Sequence, residues 1–126
     1  MFAPQVGSAV VRLFGTRNCI AASRERPQSI VDHQGWIQID LQTLPDNAEG
    51  HQQAHNIIQT VCPSAVVICG AMTAVAGCEQ QSEEAMAINA VGPAVLAEEA
   101  LSAGAHVRRG EESRKRLFYI LYVHMF

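Results

Sequence analysis

Apolar positions recur at helical spacing in some stretches of this chain and alternate or cluster as in strands in others. Gln5–Phe14 carries Val6, Val10, Leu13 and Phe14 on one stripe with Arg12 facing outward, and Gly15 stops it, which predicts a helix. Cys19–Ala22 reads as a short strand. Ser23–Gln34 is polar, contains Pro27 and reads as loop, and Trp36–Asp40 alternates as a second short strand. Pro45, Asp46, Asn47 and Gly50 make Leu41–Gly50 turn-rich. His51–Val61 then places Ala54, Ile57, Ile58 and Val61 on one helical face. A compact apolar run, Ala65–Ile68, predicts a buried strand. Ala85, Ile88, Val91, Val95 and Leu96 predict a helix over Gln81–Ser102, ended by Gly104. Pro93 lies inside that helix and forfeits a backbone donor, which predicts a kink near Asn89.

A strand, a small-residue turn and a long helix make the centre of a βαβ unit, so the fold expected is α/β, a Rossmann-like doubly wound parallel sheet. The order is unusual, because the first element is a helix preceded only by Met1–Pro4. The sheet is therefore expected to be incomplete and to lack its first strand. A length of 126 residues gives one domain, with residues 107–126 a divergent charged and hydrophobic tail. Within that tail Arg108–Arg116 holds five basic and two acidic residues with no aromatic between them, and reads as a solvated loop. Leu117–Val123 is either an appended hydrophobic stretch or a fifth strand; burial of so apolar a run favours the strand.

Charge and cysteine usage narrow the function classes. A net charge of −3 argues against binding a nucleic-acid backbone. Cys19, Cys62, Cys69 and Cys78 have no CxxC spacing and no histidines at ligand intervals, so neither a metal centre nor a disulfide is expected. Cys62 and Cys69, flanking the Ala65–Ile68 strand, are expected to be buried thiols. No signal peptide or membrane span is evident, which points to the cytoplasm.

Several motifs together carry a family resemblance. Cys69-Gly70-Ala71, Thr73, Val75 and Gly77-Cys78-Glu79 follow the central strand. Asn89-Ala90-Val91-Gly92-Pro93 and Leu96-Ala97 lie in the long helix. Over roughly Gln5–Ala105 the chain resembles the extended short-chain dehydrogenase/reductases, and most of all their dTDP-4-dehydrorhamnose reductase branch. That branch includes the regulatory beta subunit of methionine adenosyltransferase.

The resemblance implies an NADP cofactor, weakly held, and assigns positions to it. Gly7 stands where the third glycine of the family's phosphate-binding turn stands, or is simply a glycine early in a surface helix. Arg24 falls where NADP-using members pair a guanidinium with the ribose 2′-phosphate; the alternative is an exposed loop arginine. Asp40 matches an aspartate beside the adenine, or is a turn former. Gly70, Ala71, Met72 and Thr73 would line the ribose and pyrophosphate, although packing alone also selects small residues there.

The chemistry of the branch has no counterpart here. Its reductases use a tyrosine followed four residues later by a lysine, which eases proton exchange with the substrate. Tyr119 and Tyr122 are followed at that distance by Val123 and Phe126, and Lys115 precedes both. The expectation is a nucleotide-sugar-reductase-like fragment without catalysis of its own. The alternative is a regulatory or interaction protein like the methionine adenosyltransferase subunit. Either way, unpaired strand edges lead one to expect a homodimer or a partner protein, unless another segment of the chain pairs them; the in-chain candidate is Leu117–Val123, which would then give up the fifth-strand position.

Overall fold

The computed structural model describes residues 19–24, 35–68, 75–109 and 121–124. The helix expected over Gln5–Phe14, Gly7 within it, and the Cys69–Thr73 turn lie outside the described residues. The elements in order are β1 (Ala21–Ser23), β2 (Trp36–Gln38), a 3-10 turn (Leu41–Thr43) and α1 (Ala48–Val61). After them come β3 (Ala65–Ile68), α2 (Val75–Gln80), α3 (Ser82–Met86), a π-helical turn (Ala87–Val91) and α4 (Gly92–Ser102). Two more strands complete the set, β4 (His106–Arg109) and β5 (Leu121–His124).

β1 and β2 are parallel, with Ala21 opposite Trp36 and Ser23 opposite Gln38. The second sheet has the order β4-β3-β5: β4 runs parallel to β3, and β5 antiparallel. The parallel β1–β2 sheet, with the parallel β3–β4 pair and the helices, is consistent with a partial Rossmann-like α/β fold. Two expectations need correcting. Arg108 and Arg109 are not loop residues but the end of a strand, paired with Val67 and Ile68. The strand beside β3 that follows the long helix is thus β4, and the apolar run near the tail is not a fifth parallel strand. It supplies β5, which takes β3's other edge in the reverse direction, with Ile68 opposite Leu121 and Ala65 opposite His124. β5 also packs beside β1, so it lies between β1 and β3.

The core beneath the sheets gathers Ala22, Ile39, Leu41 and Leu44 with Ala54, Ile58 and Val61 of α1, Val66 and Ile68 of β3, and Val95, Leu96 and Ala100 of α4. A fully buried side chain such as Ile58 or Leu96 contributes about 1.5–3 kcal/mol of transfer free energy. Ile57 is only half-buried, at the margin of its helix's apolar face.

Local chemistry sets the helix ends. The α1 helix begins earlier than its apolar periodicity suggests, because Asn47 caps it: Oδ1 accepts the Gly50 N–H at 3.0 Å. Cys62 ends it in the left-handed conformation, φ 49°, and its N–H reaches the Ile58 carbonyl. Its thiol is exposed rather than buried, which corrects the expectation for that cysteine, and it donates to the Gln59 carbonyl at 3.0 Å. At the end of α4, Gly104 takes φ 84°, its N–H bonds Leu101, and the Ala105 N–H bonds Ala100. This pairing is the Schellman closure that a left-handed glycine permits. The helix expected over Gln81–Ser102 runs without a break from Ser82 to Ser102, its junction residues Met86, Ala87, Val91 and Gly92 all in right-handed helical conformation. The turn before Pro93 widens to π geometry, with the Gly92 N–H bonded to the Ala87 carbonyl.

Gly92 is where this wide turn meets the rest of the fold. A Cβ there would collide with the Leu41 carbonyl, so the helix backbone lies directly against the 3-10 turn that follows β2. Across the α1–α4 seam, His51 is bonded on both ring nitrogens, to Asp46 at 2.9 Å and Glu99 at 3.0 Å, with Glu98 at 3.7 Å. His55 adds a 3.3 Å contact to Glu99. The bonds to Asp46 and Glu99 raise the His51 pKa above its ordinary value of 6.5.

Two predictions follow from this packing. Gly92→Ala should destabilise the protein by about 1–3 kcal/mol, because backbone rather than a yielding side chain blocks the new methyl. Urea unfolding should show a lower midpoint with an unchanged slope. The second concerns pH. A histidine whose folded pKa is raised stabilises the fold fully below its unfolded pKa and loses that contribution as pH rises through the folded value. Stability should therefore decline from pH 6 towards pH 9 in the wild type, and His51→Gln should flatten that decline in urea midpoints taken across the range.

Candidate functional site

At the carboxyl ends of β1 and β2 lies an open pocket of about 330 Å³. Parallel strands place ligand sites at this end because the loops leaving them converge on one side. Arg24 comes from the end of β1; Gln38, Ile39 and Asp40 from the end of β2; Thr43 and Leu44 from the 3-10 turn; Gln53 and Ile57 from α1. Its floor is apolar, with Ile39 and Leu44 buried, while Arg24, Gln38, Thr43 and Gln53 are exposed and surround it with polar groups.

Hydrogen bonds fix the walls. Gln38 Nε2 donates to the Arg24 carbonyl at 3.1 Å, tying the exit of β1 to β2. The indole of Trp36 donates to the buried Ser23 hydroxyl at 2.8 Å, just before Arg24. Asp40 Oδ1 accepts the Gln42 N–H at 3.0 Å, and its carbonyl accepts the Thr43 hydroxyl at 2.9 Å. Asp40 therefore builds the 3-10 turn, the turn-forming role weighed from the sequence, and at the same time borders the pocket. Gly92, pressed on Leu41, holds that turn in place from behind.

Of the residues singled out from the sequence, Arg24 and Asp40 come together on this one pocket. Gly7, Gly70, Ala71, Met72 and Thr73 lie outside the described residues. Gln38, Thr43 and Gln53 were not singled out. For Gln38 a signal existed: it stands two residues before Asp40, and alternation along a strand puts such a pair on one side. Gln53 gave a weaker one, four residues before Ile57 and so on the same helical face. Asn89 is half-buried in the π-helical turn and is engaged with its surroundings.

A second concavity, about 560 Å³, is lined by Gln42, Gln80, Gln81, Ser82, Glu83, Glu84 and Ala87. Its charged side chains are both carboxylates, which repel phosphate. The Arg24 pocket is lined by one cation, Arg24, and one carboxylate, Asp40. Among the described residues no cluster of histidine, cysteine and carboxylate could hold a metal ion. No helix among them is long and apolar enough to cross a membrane. Tyr122 sits in β5 with Val67 as its register partner, while Lys115 and Tyr119 lie outside the described residues.

Comparison with known proteins agrees with this architecture. The family described as "RmlD substrate binding domain" matches residues 3–108, from the N-terminal segment to the third residue of β4. That span takes in Arg24, Asp40, the π-helical turn and α4, and leaves β5 outside. No curated protein and no solved structure matches the chain. A match over so much of the sequence, on a parallel α/β frame of the expected order, shows that the chain belongs to the RmlD substrate binding domain family.

Proposed function

We propose that this protein binds an NADP-type nucleotide, weakly, at the Arg24–Asp40 pocket and does not by itself reduce a nucleotide sugar. The observation that carries this reading is the convergence of Arg24 and Asp40 on one pocket at the carboxyl ends of two parallel strands. A guanidinium there can pair with a ribose 2′-phosphate through charge-assisted hydrogen bonds, and an apolar floor between polar walls suits a purine. Family membership supports the ligand class, since oxidoreductases of this kind use nicotinamide dinucleotides. The lack of a lysine four residues after either tyrosine supports the second half of the proposal.

A regulatory or interaction role is the second reading. Among the described residues β2 and β4 are each paired on one side only, and such edges accept a further strand from a second copy or a partner protein.

Titration calorimetry should find NADPH bound roughly tenfold or more tightly than NADH, because charged hydrogen bonds to the 2′-phosphate are worth about 1.5–3 kcal/mol. Arg24→Ala should abolish the preference without unfolding the protein, since Arg24 is exposed. Equal affinities in the wild type would overturn the assignment. With a 4-keto nucleotide sugar and NADPH, the absorbance at the nicotinamide band should not fall above background. Turnover that disappears in Tyr122→Phe would show that a catalytic base is present after all.

A further inference from the structure

Residues 40–47 supply Asp40, Thr43 and Leu44 to the pocket wall. Backbone contact holds this segment at two points. Leu41 lies against Gly92 of α4, and Pro45 against Gly50 of α1, where a Cβ would collide with the Pro45 carbonyl. His51 makes a third hold. Its Nε2 faces Asp46 of the segment at 2.9 Å, and its Nδ1 faces Glu99 of α4 at 3.0 Å. One imidazole thus joins the segment, α1 and α4, and of the three holds it is the one that depends on a proton.

A carboxylate only accepts hydrogen bonds, and a neutral imidazole has a single N–H to give. Both contacts together therefore require the imidazolium. Glu98 stands 3.7 Å from Nε2, and His55 turns its Nδ1 to the other oxygen of Glu99 at 3.3 Å. The remaining titratable groups of these elements are Glu49 on α1 and Asp40 at the start of the segment. Neither helix nor the segment contains a lysine or arginine, so His51 is the cation that Asp46, Glu98 and Glu99 share. When its proton leaves, one hold has to open, and burial decides which. The Asp46 side chain is 76% exposed and that of Glu99 19%. Water replaces the imidazole at Asp46 easily, whereas an unpaired carboxylate at Glu99 is costly. The neutral ring keeps its Nδ1–H on Glu99 and gives up Asp46.

We infer that His51 is a proton-operated latch on the pocket: the imidazolium ties residues 40–47 to both helices, and loss of the Nε2 proton frees that segment while α1 and α4 stay joined through Glu99. The bonds to Asp46 and Glu99 raise the His51 pKa, so the latch is closed below the folded value and opens as pH rises through it. The latch stands on the geometry around His51; its effect on a ligand rests on the nucleotide-binding reading above.

Nitrogen-15 NMR of the His51 ring in the full chain, followed from pH 6 to pH 9, tests the latch. Both ring nitrogens should be protonated at the acid end and Nδ1 alone at the alkaline end. The Asn47 N–H, bonded to the Pro45 carbonyl at 2.8 Å, reports on the segment by hydrogen exchange. Its protection, corrected for intrinsic pH dependence, should fall about two- to fivefold as the ring titrates, the scale of an exposed ion pair. Asp46→Ala should show the lower protection at every pH. A neutral ring protonated on Nε2, or wild-type protection that ignores pH, would overturn the latch. NADPH affinity, by calorimetry, should drop by a similar factor between pH 7 and pH 9 in the wild type and stay level in Asp46→Ala. An equal pH response in both proteins would overturn the link from latch to pocket. Failure of NADPH to bind at any pH, with the ring and the Asn47 amide responding as expected, would overturn the nucleotide reading and leave the latch standing.

Discussion

Pairing both edges of β3 is the constraint on which this structure depends. Ala65–Ile68 is a short strand, with Val66 and Ile68 buried, and its backbone N–H and C=O groups need partners on both edges. One edge is met by β4, delivered in parallel by the helical crossover through α2, α3 and α4. The other has to be met by something else, and β5 meets it. An antiparallel strand satisfies the same donors and acceptors as a parallel one, and its pairing is slightly stronger per residue. The exchange costs the sheet nothing in hydrogen bonds and alters what stands at its carboxyl end.

The Arg24–Asp40 pocket shows the same economy of parts. Asp40 closes the 3-10 turn through one carboxylate oxygen, and Gly92 allows α4 to press on the next residue of that turn. The π-helical turn leads into Gly92 and resolves the conflict posed by Pro93, whose ring cannot follow a regular α-helical turn. Residues that resemble family motifs in the sequence thus serve a mechanical purpose in the structure: they fix the loop that carries Asp40.

Much of the frame was legible beforehand because burial imposes a period. Ala65–Ile68 emerged with its predicted bounds, and Ala54, Ile58 and Val61 share the buried face of α1, since a helix packed on one side must repeat its apolar residues. The left-handed glycine at position 104 was equally readable, because steric rules single that residue out. What escaped was set by longer-range pairing. His106–Arg109 has two arginines where a strand usually has apolar residues, and only its ladder with β3 makes it one. Strand direction is likewise invisible to periodicity, so the apolar run near Leu121 could be read as a strand but not as an antiparallel one. At the site, Arg24 and Asp40 were found by resemblance; Gln38 and Gln53 carry no distinctive chemistry alone and gain meaning from the pocket they share.

The ladder between β3 and β5 joins residues roughly fifty positions apart, and this has a temporal side. A ribosome adds about 5–20 residues per second, so β3 emerges some seconds before the segment that completes it. Until β4 emerges both edges of β3 are bare, and until β5 follows one still is, the arrangement that invites pairing with a neighbouring polypeptide. The yield of folded protein then depends on temperature and expression rate, through the competition between waiting for β5 and meeting another chain.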